Sequence, residues 1–299
     1  MKIAITGASG LIGRALAPAL QDDGHTVVRM VRRPARGADE LSWDPGSRTL
    51  EPNALAGVDA VVHLAGAGIG ARRWTAGYQR ALLDSRVGGT TTLASAITGC
   101  EGDGPRIWLS ASAVGYYGDT GDRIVDEAAP AGKGFLADLC EAWEEATGPA
   151  AEAGVRVCRL RSGLVLAPKG GLLGRMRPLF RLGLGGRLGS GQQYQSWISL
   201  HDEIAAIRYL LAADDVAGPV NLTSPEPVTN AEFTRTLGRL LGRPTVATAP
   251  AFALRAALGQ FADEGVLIGQ RVAPRVLTDH GFTHTHPDLE SALRWALSP

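Results

Sequence analysis

Three glycines directly after the first strand-like segment constrain the fold more than any other feature of the sequence. Lys2–Thr6 is short and strand-like, and the next residues read Gly7-Ala8-Ser9-Gly10-Leu11-Ile12-Gly13 before an amphipathic stretch begins. At this spacing Gly7 permits a tight turn, Gly10 lets a pyrophosphate approach the backbone, and Gly13 lets helix and strand pack closely. The helix start also offers free N–H groups and a positive dipole end to phosphates. We therefore predict a dinucleotide-binding turn formed by Gly7, Ser9, Gly10, Leu11, Ile12 and Gly13.

Short strand-like segments alternate with longer amphipathic ones through the first half of the chain. The strand-like segments are Lys2–Thr6, Thr26–Val31, Ala60–Ala65, Arg106–Ser110 and Val155–Leu160. The helix-like segments between them are Leu11–Asp22, Ala76–Thr98 and Phe135–Ala153. Strands separated by helices form right-handed βαβ units, with helices on both faces of a parallel sheet. The pattern predicts an α/β fold with a doubly wound parallel sheet of the Rossmann type.

The pattern changes after Pro168. Residues 169–191 are rich in Gly, Leu and Arg and show no strict period, whereas the later segments are mainly helical. The later segments are helix-like Asp202–Ala213, strand-like Gly218–Leu222, and the helix-like stretches Ala231–Leu241 (capped by Asn230), Ala251–Phe261 and Leu289–Leu297. We predict a Rossmann domain of residues 1–168 plus about 198–224. A smaller, mainly helical lobe on the substrate side would comprise about 169–197 plus 225–299.

Composition excludes several classes of protein. Thirty basic and thirty acidic residues give a formal net charge of zero, which disfavours a nucleic-acid partner. Three widely spaced cysteines argue against a disulfide framework or a zinc ribbon and fit a reducing compartment. No stretch reaches the roughly 18 apolar residues of a membrane helix, and the strand-like start leaves no room for a signal peptide. We therefore expect a cytoplasmic protein with a small-molecule substrate and leave its oligomeric state open.

Metal binding is not expected from the sequence. His280, His284 and His286 are close together, but no cysteine or paired carboxylate nearby completes a ligand set. His63 lies in a segment that reads as a buried strand, so we interpret it as a core histidine rather than a base.

The end of the second strand indicates which dinucleotide binds. An NAD site usually has an acidic residue about 20 residues after the glycines, where it holds the ribose 2′-hydroxyl. Here the segment reads Arg29-Met30-Val31-Arg32-Arg33-Pro34, and the next acidic residue is Asp39. Guanidinium groups match a 2′-phosphate in charge and geometry. Arg32 and Arg33 therefore favour NADP; the alternative is that they are surface charges of an arginine-rich chain.

Several motifs together resemble those of one protein family. The glycine turn, His63-Leu64-Ala65-Gly66, and Leu109-Ser110-Ala111-Ser112-Ala113 before Tyr117-Gly118 resemble the extended short-chain dehydrogenase/reductases. Further motifs resemble the branch called epimerase family proteins, which is related to nucleotide-sugar epimerases. They are Ser42-Trp43-Asp44, Arg72-Arg73-Trp74-Thr75, Ser85-Arg86-Val87, Gly189-Ser190-Gly191-Gln192, Ser196-Trp197-Ile198 and Thr229-Asn230-Ala231-Glu232-Phe233. Gly269-Gln270-Arg271-Val272 and His280-Gly281-Phe282 resemble that branch's small C-terminal module, whose function is unassigned. Ser199 departs from the branch, which usually has histidine there.

The resemblance implies additional cofactor contacts. Leu64, Ala65 and Gly66 are expected to line the adenine-ribose and pyrophosphate side of the cofactor. Arg86 is expected to reach the cofactor from the following helix. Leu164, in the segment Gly163-Leu164-Val165, is expected to border the nicotinamide.

The catalytic pair of the superfamily is absent. Typical members carry Tyr-x-x-x-Lys on one helix face, where the lysine lowers the pKa of the tyrosine that exchanges a proton with substrate. This chain has only three lysines, Lys2, Lys133 and Lys169, and none follows a tyrosine at that spacing. By comparison with the family pattern, Phe135 stands at the tyrosine position and Leu139 at the lysine position. Neither side chain can transfer a proton.

Other residues are candidates for the chemistry. Ser112 occupies the position of the family's serine, and Tyr116 is the better placed of the two adjacent tyrosines, so we take both as candidate catalytic residues. Candidate substrate contacts are Lys169, Gln192, Tyr194 and Trp197. For Lys169, as for Arg175, the alternative is a solvated surface position, and for Trp197 it is a place in the core.

Two functions are therefore compatible with the sequence. One is an NADP-dependent oxidoreductase or epimerase-like enzyme acting on a small, sugar-like or nucleotide-linked substrate. The other is a non-catalytic protein that binds NADP(H) as a regulatory or sensory ligand.

Overall fold

The strands and helices were assigned in a computed structural model that describes residues 1–51, 53–100 and 102–298. The strands are β1 (Lys2–Thr6), β2 (Thr26–Val31), β3 (Glu40–Ser42), β4 (Ala60–His63), β5 (Ile107–Ala113), β6 (Ile124–Val125), β7 (Arg156–Ser162), β8 (Leu164–Leu166), β9 (Gly186–Leu188), β10 (Tyr194–Gln195), β11 (Trp197–Ser199), β12 (Gly218–Leu222), β13 (Val228–Thr229), β14 (Ala247–Ala249) and β15 (Arg271–Val272). The α-helices are α1 (Leu11–Asp22), α2 (Ala76–Leu83), α3 (Gly89–Thr98), α4 (Phe135–Glu145), α5 (Gly148–Glu152), α6 (Gly171–Arg181), α7 (Leu200–Ala212), α8 (Asn230–Leu241), α9 (Ala251–Leu258), α10 (Arg275–Asp279) and α11 (Leu289–Leu297).

A parallel sheet positions the glycine turn. Within the described residues its seven strands lie in the order β12-β7-β5-β4-β1-β2-β3. β1 pairs in parallel with β2 on one side and with β4 on the other, so Ile3 lies opposite Val27 and Ala60. The strand order reverses at β1, and this is the point where doubly wound sheets bind their ligands. The predicted α/β fold with a doubly wound parallel sheet is confirmed.

The chain divides into two compact units. Unit 1 comprises Met1–Ser112, Leu139–Leu160 and Ile204–Pro219, and unit 2 comprises Ala113–Asp138, Arg161–Glu203 and Val220–Pro299. The core of unit 1 includes Trp43, Leu93 and Trp108, and a core cluster of unit 2 includes Trp197, Phe233 and Leu293. The domain division predicted from the sequence stays a prediction.

The observed elements correct the sequence-based ones at several places. Asp84–Gly88 forms a π-helical turn between α2 and α3, so the predicted helix over Ala76–Thr98 is not a regular α-helix. The second correction concerns the start of α8, where the side chain of Thr229, not Asn230, accepts the N–H of Glu232. Asn230 is buried instead, and its Oδ1 accepts the N–H of Leu188. Residues 169–191, which showed no period, contain helix α6 and strand β9.

Within the described part of the chain, no helix combines the length and the apolar character needed to cross a bilayer.

Candidate dinucleotide site

The glycine turn of unit 1 leaves no space for side chains at two of its three glycines. Gly7 has φ +67°, and a Cβ atom added there would lie 2.7 Å from the carbonyl oxygen of Leu64. A Cβ atom at Gly13 would lie 2.4 Å from the carbonyl oxygen of Gly7. These distances are far inside van der Waals contact, so the approach of the turn to β4 and to α1 requires glycine at both positions.

The start of α1 has the features of an anion-binding helix terminus. Its N-cap, Gly10, offers no side chain to the free N–H groups, and the first turn contains no acidic residue. Ser9 and Gly10 are exposed, and Leu11 and Ile12 are half-buried. A helix start without a cap presents unpaired N–H donors together with the positive end of the helix dipole. The residues present therefore fit a pyrophosphate, as the spacing of the glycines predicted.

One buried hydroxyl joins the end of β1 to the end of β4. The Oγ1 atom of Thr6 accepts the N–H groups of Leu64 and Ala65 at 3.1 and 3.2 Å, and it lies 2.7 Å from Nδ1 of His63. His63 is fully buried, and burial, together with the charge of Arg86, lowers its pKa to about 3. His63 is therefore a neutral core histidine, as interpreted from the sequence. Sequence reasoning missed Thr6, although its place at the end of the strand, directly before Gly7, is a usable signal.

The charged side chain of Arg86 is buried next to the loop that follows β4. Its side chain donates to the carbonyl oxygen of Ala67 at 3.0 Å and stacks on the ring of Trp143 at 4.9 Å. The Nε atom has no hydrogen-bond partner among the described residues, and burial lowers the pKa of the guanidinium. Buried charges normally have a counter-charge, so an anion bound near Gly66 and Ala67 would be stabilised by this arginine.

The two arginines after β2 differ in their surroundings. Arg33 donates two hydrogen bonds to Glu40, at 2.6 and 2.7 Å. This pair, with the N–H of Arg36, lowers the pKa of Glu40 to about 2, so the carboxylate stays ionised at any ordinary pH. Arg32 is exposed, and no ion pair to it is found within the described ranges. Arg32 is therefore the more available partner for a 2′-phosphate.

Ser112 is paired with a carboxylate that sequence reasoning missed. Its hydroxyl donates to Oε1 of Glu144 at 2.6 Å, and both side chains are buried. Glu144 lies on α4, the helix that also contains Phe135 and Leu139. The pairing could not be predicted from the sequence because it depends on how α4 packs against β5.

In unit 2, Tyr116 and Tyr117 have different surroundings. The Tyr117 hydroxyl donates to Oδ1 of Asn221 at 2.7 Å and accepts from Arg161 at 2.9 Å. Burial raises the pKa of Tyr117 to about 12, although Arg161 opposes that shift. This phenol therefore stays protonated and is part of the core. The ring of Tyr116 is half-buried, and the guanidinium of Arg161 lies 3.4 Å from its centre. Tyr116 is therefore the more accessible phenol, and its catalytic role stays a prediction.

The candidate substrate residues of unit 2 lie in different environments. Lys169 and Gln192 are exposed, and Tyr194 is half-buried with the guanidinium of Arg271 4.4 Å from its ring centre. Trp197 is fully buried, and its indole N–H donates to the carbonyl oxygen of Glu226. Of the two roles left open for Trp197, its surroundings support the core role. Leu164, in the same unit, is half-buried on β8.

The fold and the turn define the class of this protein. A parallel sheet that reverses order at β1, with a glycine turn leading into an uncapped helix, is a dinucleotide-binding Rossmann fold. A model of the NAD dependent epimerase/dehydratase family matches residues 3–222, and one of a domain of unknown function, DUF1731, matches residues 249–296. The chain therefore belongs to the NAD dependent epimerase/dehydratase family, and the resemblance noted in the sequence is confirmed.

The similarity to known relatives extends over nearly the whole chain. Epimerase family protein Mb2239 of Mycobacterium bovis is 52% identical over 294 residues, which cover 98% of this chain and 97% of the relative. Human epimerase family protein SDR39U1 (isoform2), crystallised with NADPH, has a TM-score of 0.90 and 35% identity, covering 99% of both chains. UDP-N-acetylglucosamine 4-epimerase from Bacillus cereus, at 19% identity and a TM-score of 0.77 (99% and 98% covered), shares the fold. The expectation of an NADP cofactor agrees with the ligand of the human protein, whereas the individual site residues stay predictions.

Proposed function

We propose that this protein binds NADPH and acts as an oxidoreductase or epimerase-like enzyme on a small, sugar-like or nucleotide-linked substrate. The observation that carries the proposal is the uncapped start of α1, free of acidic residues, in a glycine turn with no space for a side chain at Gly7 or Gly13. The NADPH found with the human relative supports the choice of dinucleotide.

Several groups of unit 1 would hold the cofactor. The N–H groups at the start of α1 would bind the pyrophosphate, the buried charge of Arg86 would stabilise it, and Arg32 would pair with the 2′-phosphate. When bound, NADPH supplies a hydride from its nicotinamide ring. The chain's own residues must then supply the proton that a reduced carbonyl needs.

The pair of Ser112 and Glu144 offers a route for that proton. In the oxidative direction, a substrate hydroxyl would give its proton to Oγ of Ser112 while the proton of Ser112 passes to Glu144. The reverse movement delivers the proton to a substrate oxygen in the reductive direction. The 2.6 Å hydrogen bond already has the required direction, because Ser112 donates and Glu144 accepts. Tyr116 is the second candidate for the proton donor.

A non-catalytic function is favoured by one specific observation. The chain contains no Tyr-x-x-x-Lys sequence; by comparison with the family pattern Phe135 and Leu139 stand at those two positions, and Leu139 is buried in the core. In that case the protein would bind NADPH tightly as a regulatory or sensory ligand without turnover.

The two functions are distinguished by binding and turnover measured on the same protein. We expect fluorescence titration to show tighter binding of NADPH than of NADH, and a panel of aldehydes, ketones and nucleotide sugars to reveal turnover. Loss of a positioned acid or base costs about 10²- to 10⁴-fold, so Ser112→Ala and Glu144→Gln should each lower kcat by about that factor. Glu145→Gln, an exposed neighbour on the same helix, is the matched control, and Tyr116→Phe tests the second donor.

Each outcome has a definite meaning. Equal affinities for NADPH and NADH would contradict the choice of cofactor. Turnover that survives both Ser112→Ala and Glu144→Gln would contradict the proton route. Tight NADPH binding without turnover on any substrate of the panel would support the non-catalytic function instead.

A further inference from the structure

Two histidines and an aspartate meet at the start of α7 in unit 2. Oδ1 of Asp202 lies 3.4 Å from Nδ1 of His201, and Oδ2 lies 3.6 Å from Nδ1 of His286. One donor atom from each of the three residues can be chosen so that all lie within 4.8 Å of one another. The sequence did not suggest this group, because His286 is distant from the other two residues along the chain.

The two histidine–aspartate distances are close to the edge length of a coordination tetrahedron around zinc. Nitrogen and oxygen ligands lie about 2.0–2.2 Å from Zn²⁺, so two of them at a tetrahedral angle are separated by roughly 3.4 Å. The two histidine–aspartate distances are longer than the usual hydrogen bond of about 2.7–3.2 Å. The contact of His201 with Asp202 is still within hydrogen-bond distance, whereas the 3.6 Å contact of His286 is too long for a hydrogen bond.

Asp202 is held ready to act as a ligand. The backbone N–H groups of Thr285 and His286 hold its carboxylate in place. Those two N–H groups donate at 2.9 Å, one to each carboxylate oxygen. Each carboxylate oxygen has a second lone pair, which remains for a metal ion.

Ser199 contacts both Asp202 and the imidazole of His286. The Oγ atom of Ser199 accepts the N–H of Asp202 at 3.0 Å and lies 3.0 Å from Nδ1 of His286. The side chain of His286 is 11% exposed, and the unprotonated nitrogen of an imidazole can bind a metal ion.

The group is open to solvent on one side only. The side chain of His201 is 46% exposed, whereas those of His286 and Asp202 are 11% and 1% exposed. The ring of Trp295 on α11 lies 5.3 Å from that of His286 and 6.1 Å from that of His201. The exposed side at His201 gives a metal ion access and a place for water.

We propose that His201, Asp202 and His286 form a site for a divalent transition-metal ion, best matched by Zn²⁺. Two imidazoles and one carboxylate are ligands typical of zinc, whereas Mg²⁺ and Ca²⁺ prefer oxygen ligands throughout. Water would occupy the fourth position. The ion would fasten the segment before α11 to the start of α7. The proposal differs from the sequence-based expectation of no metal, which considered only histidines close together in the chain and stays untested.

The test is a metal titration of the full-length protein after treatment with a chelator. Zn²⁺ binding is measured by calorimetry, and Co²⁺ serves as a spectroscopic probe, since its visible absorption reports its coordination geometry. We expect one ion per chain and a tetrahedral Co²⁺ spectrum for the wild type. His201→Ala and His286→Ala should each weaken binding at least about 10-fold, which is the smallest loss seen even for residues that only support metal ligands.

Controls make the outcome decisive. His280→Ala removes an exposed histidine outside the group and should bind the metal like the wild type. Because His201 is half-exposed, His201→Ala should remain folded, which circular dichroism checks. Absence of metal binding by the wild type, or equal binding by the wild type and His201→Ala, would overturn the proposal.

Discussion

At the scale of single residues, neighbouring arginines are expected to contribute unequally to the preference for NADPH. Arg33 is already paired with Glu40 through two hydrogen bonds. Arg32 is exposed, and no ion pair of its guanidinium is found within the described ranges. Arg32→Ala should therefore lose most of the preference for NADPH over NADH, by about 10- to 150-fold, since hydrogen bonds to charged groups contribute roughly 1.5–3 kcal/mol. Arg33→Ala should have a smaller effect. Fluorescence titration with both cofactors measures the ratio.

The same titration contains its own controls. NADH affinity should be nearly unchanged in Arg32→Ala, because NADH has no 2′-phosphate. Arg36→Ala, in the same loop, should behave like the wild type. A larger loss in Arg33→Ala than in Arg32→Ala would show that the pair with Glu40 opens when the cofactor binds.

Two glycines of the turn should respond to substitution in opposite ways. A Cβ atom at Gly10 meets only the carbonyl oxygen of Gly7, at 3.1 Å, and its φ of −76° is accessible to any residue. Gly10→Val should therefore fold and yet fail to bind NADPH, because the side chain fills the space of the pyrophosphate. Gly13→Ala should instead destabilise the fold, since its Cβ atom would lie 2.4 Å from backbone.

Thermal unfolding and NADPH titration of both variants separate these effects. NADPH binding by Gly10→Val with wild-type affinity would place the cofactor elsewhere. A melting temperature of Gly13→Ala equal to that of the wild type would contradict the packing of the turn.

At the scale of elements, the start of α7 contains a buried acid that makes stability depend on pH. Oε1 of Glu203 accepts the hydroxyl of Ser162 at 2.7 Å, but Oε2 has no partner among the described residues. Burial raises the pKa of Glu203 to about 7, so the folded protein keeps this proton at pH values where the unfolded chain has released it. The free energy of unfolding should therefore fall as pH rises from about 5 to 8, by roughly 3 kcal/mol from this group.

Denaturant unfolding at several pH values tests this dependence. Glu203→Gln keeps the shape of the side chain without its charge, so its stability should lack this part of the pH dependence. Glu226→Gln, an exposed position, should follow the wild type. Parallel pH curves for the wild type and Glu203→Gln would contradict the assignment.

The elements also show what the sequence can and cannot predict. β1, β2, β12, α1 and α11 have the predicted bounds, because local alternation and helical periodicity specify them. α6 was missed because glycines and arginines interrupt its apolar period. The glycine turn was predictable since its function depends on adjacent residues. The contacts of Ser112 with Glu144 and of Asp202 with His286 depend on tertiary packing, for which a single sequence contains no local signal.

At the scale of the whole molecule, NADPH should stabilise the protein against heat. A ligand that binds only the folded state adds about 2.7 kcal/mol at 100 times its dissociation constant. The melting temperature should rise by several degrees with NADPH, less with NADH at equal concentration, and not at all in Gly10→Val. Differential scanning fluorimetry measures all three. Equal shifts for the wild type and Gly10→Val would assign the stabilisation to another site.

The division of unit 1 into three separate stretches has a consequence for biosynthesis. The ribosome makes the glycine turn first, but it makes the last stretch, Ile204–Pro219, only after two of the three stretches of unit 2. β12 begins at Gly218 and lies next to β7, so until it is translated β7 is an open edge of the sheet. Open edges invite pairing with other chains, and incomplete nascent chains are prone to aggregation. Translation stalled before Gly218 should therefore yield chaperone-bound or insoluble fragments, which fractionation of the stalled products would detect.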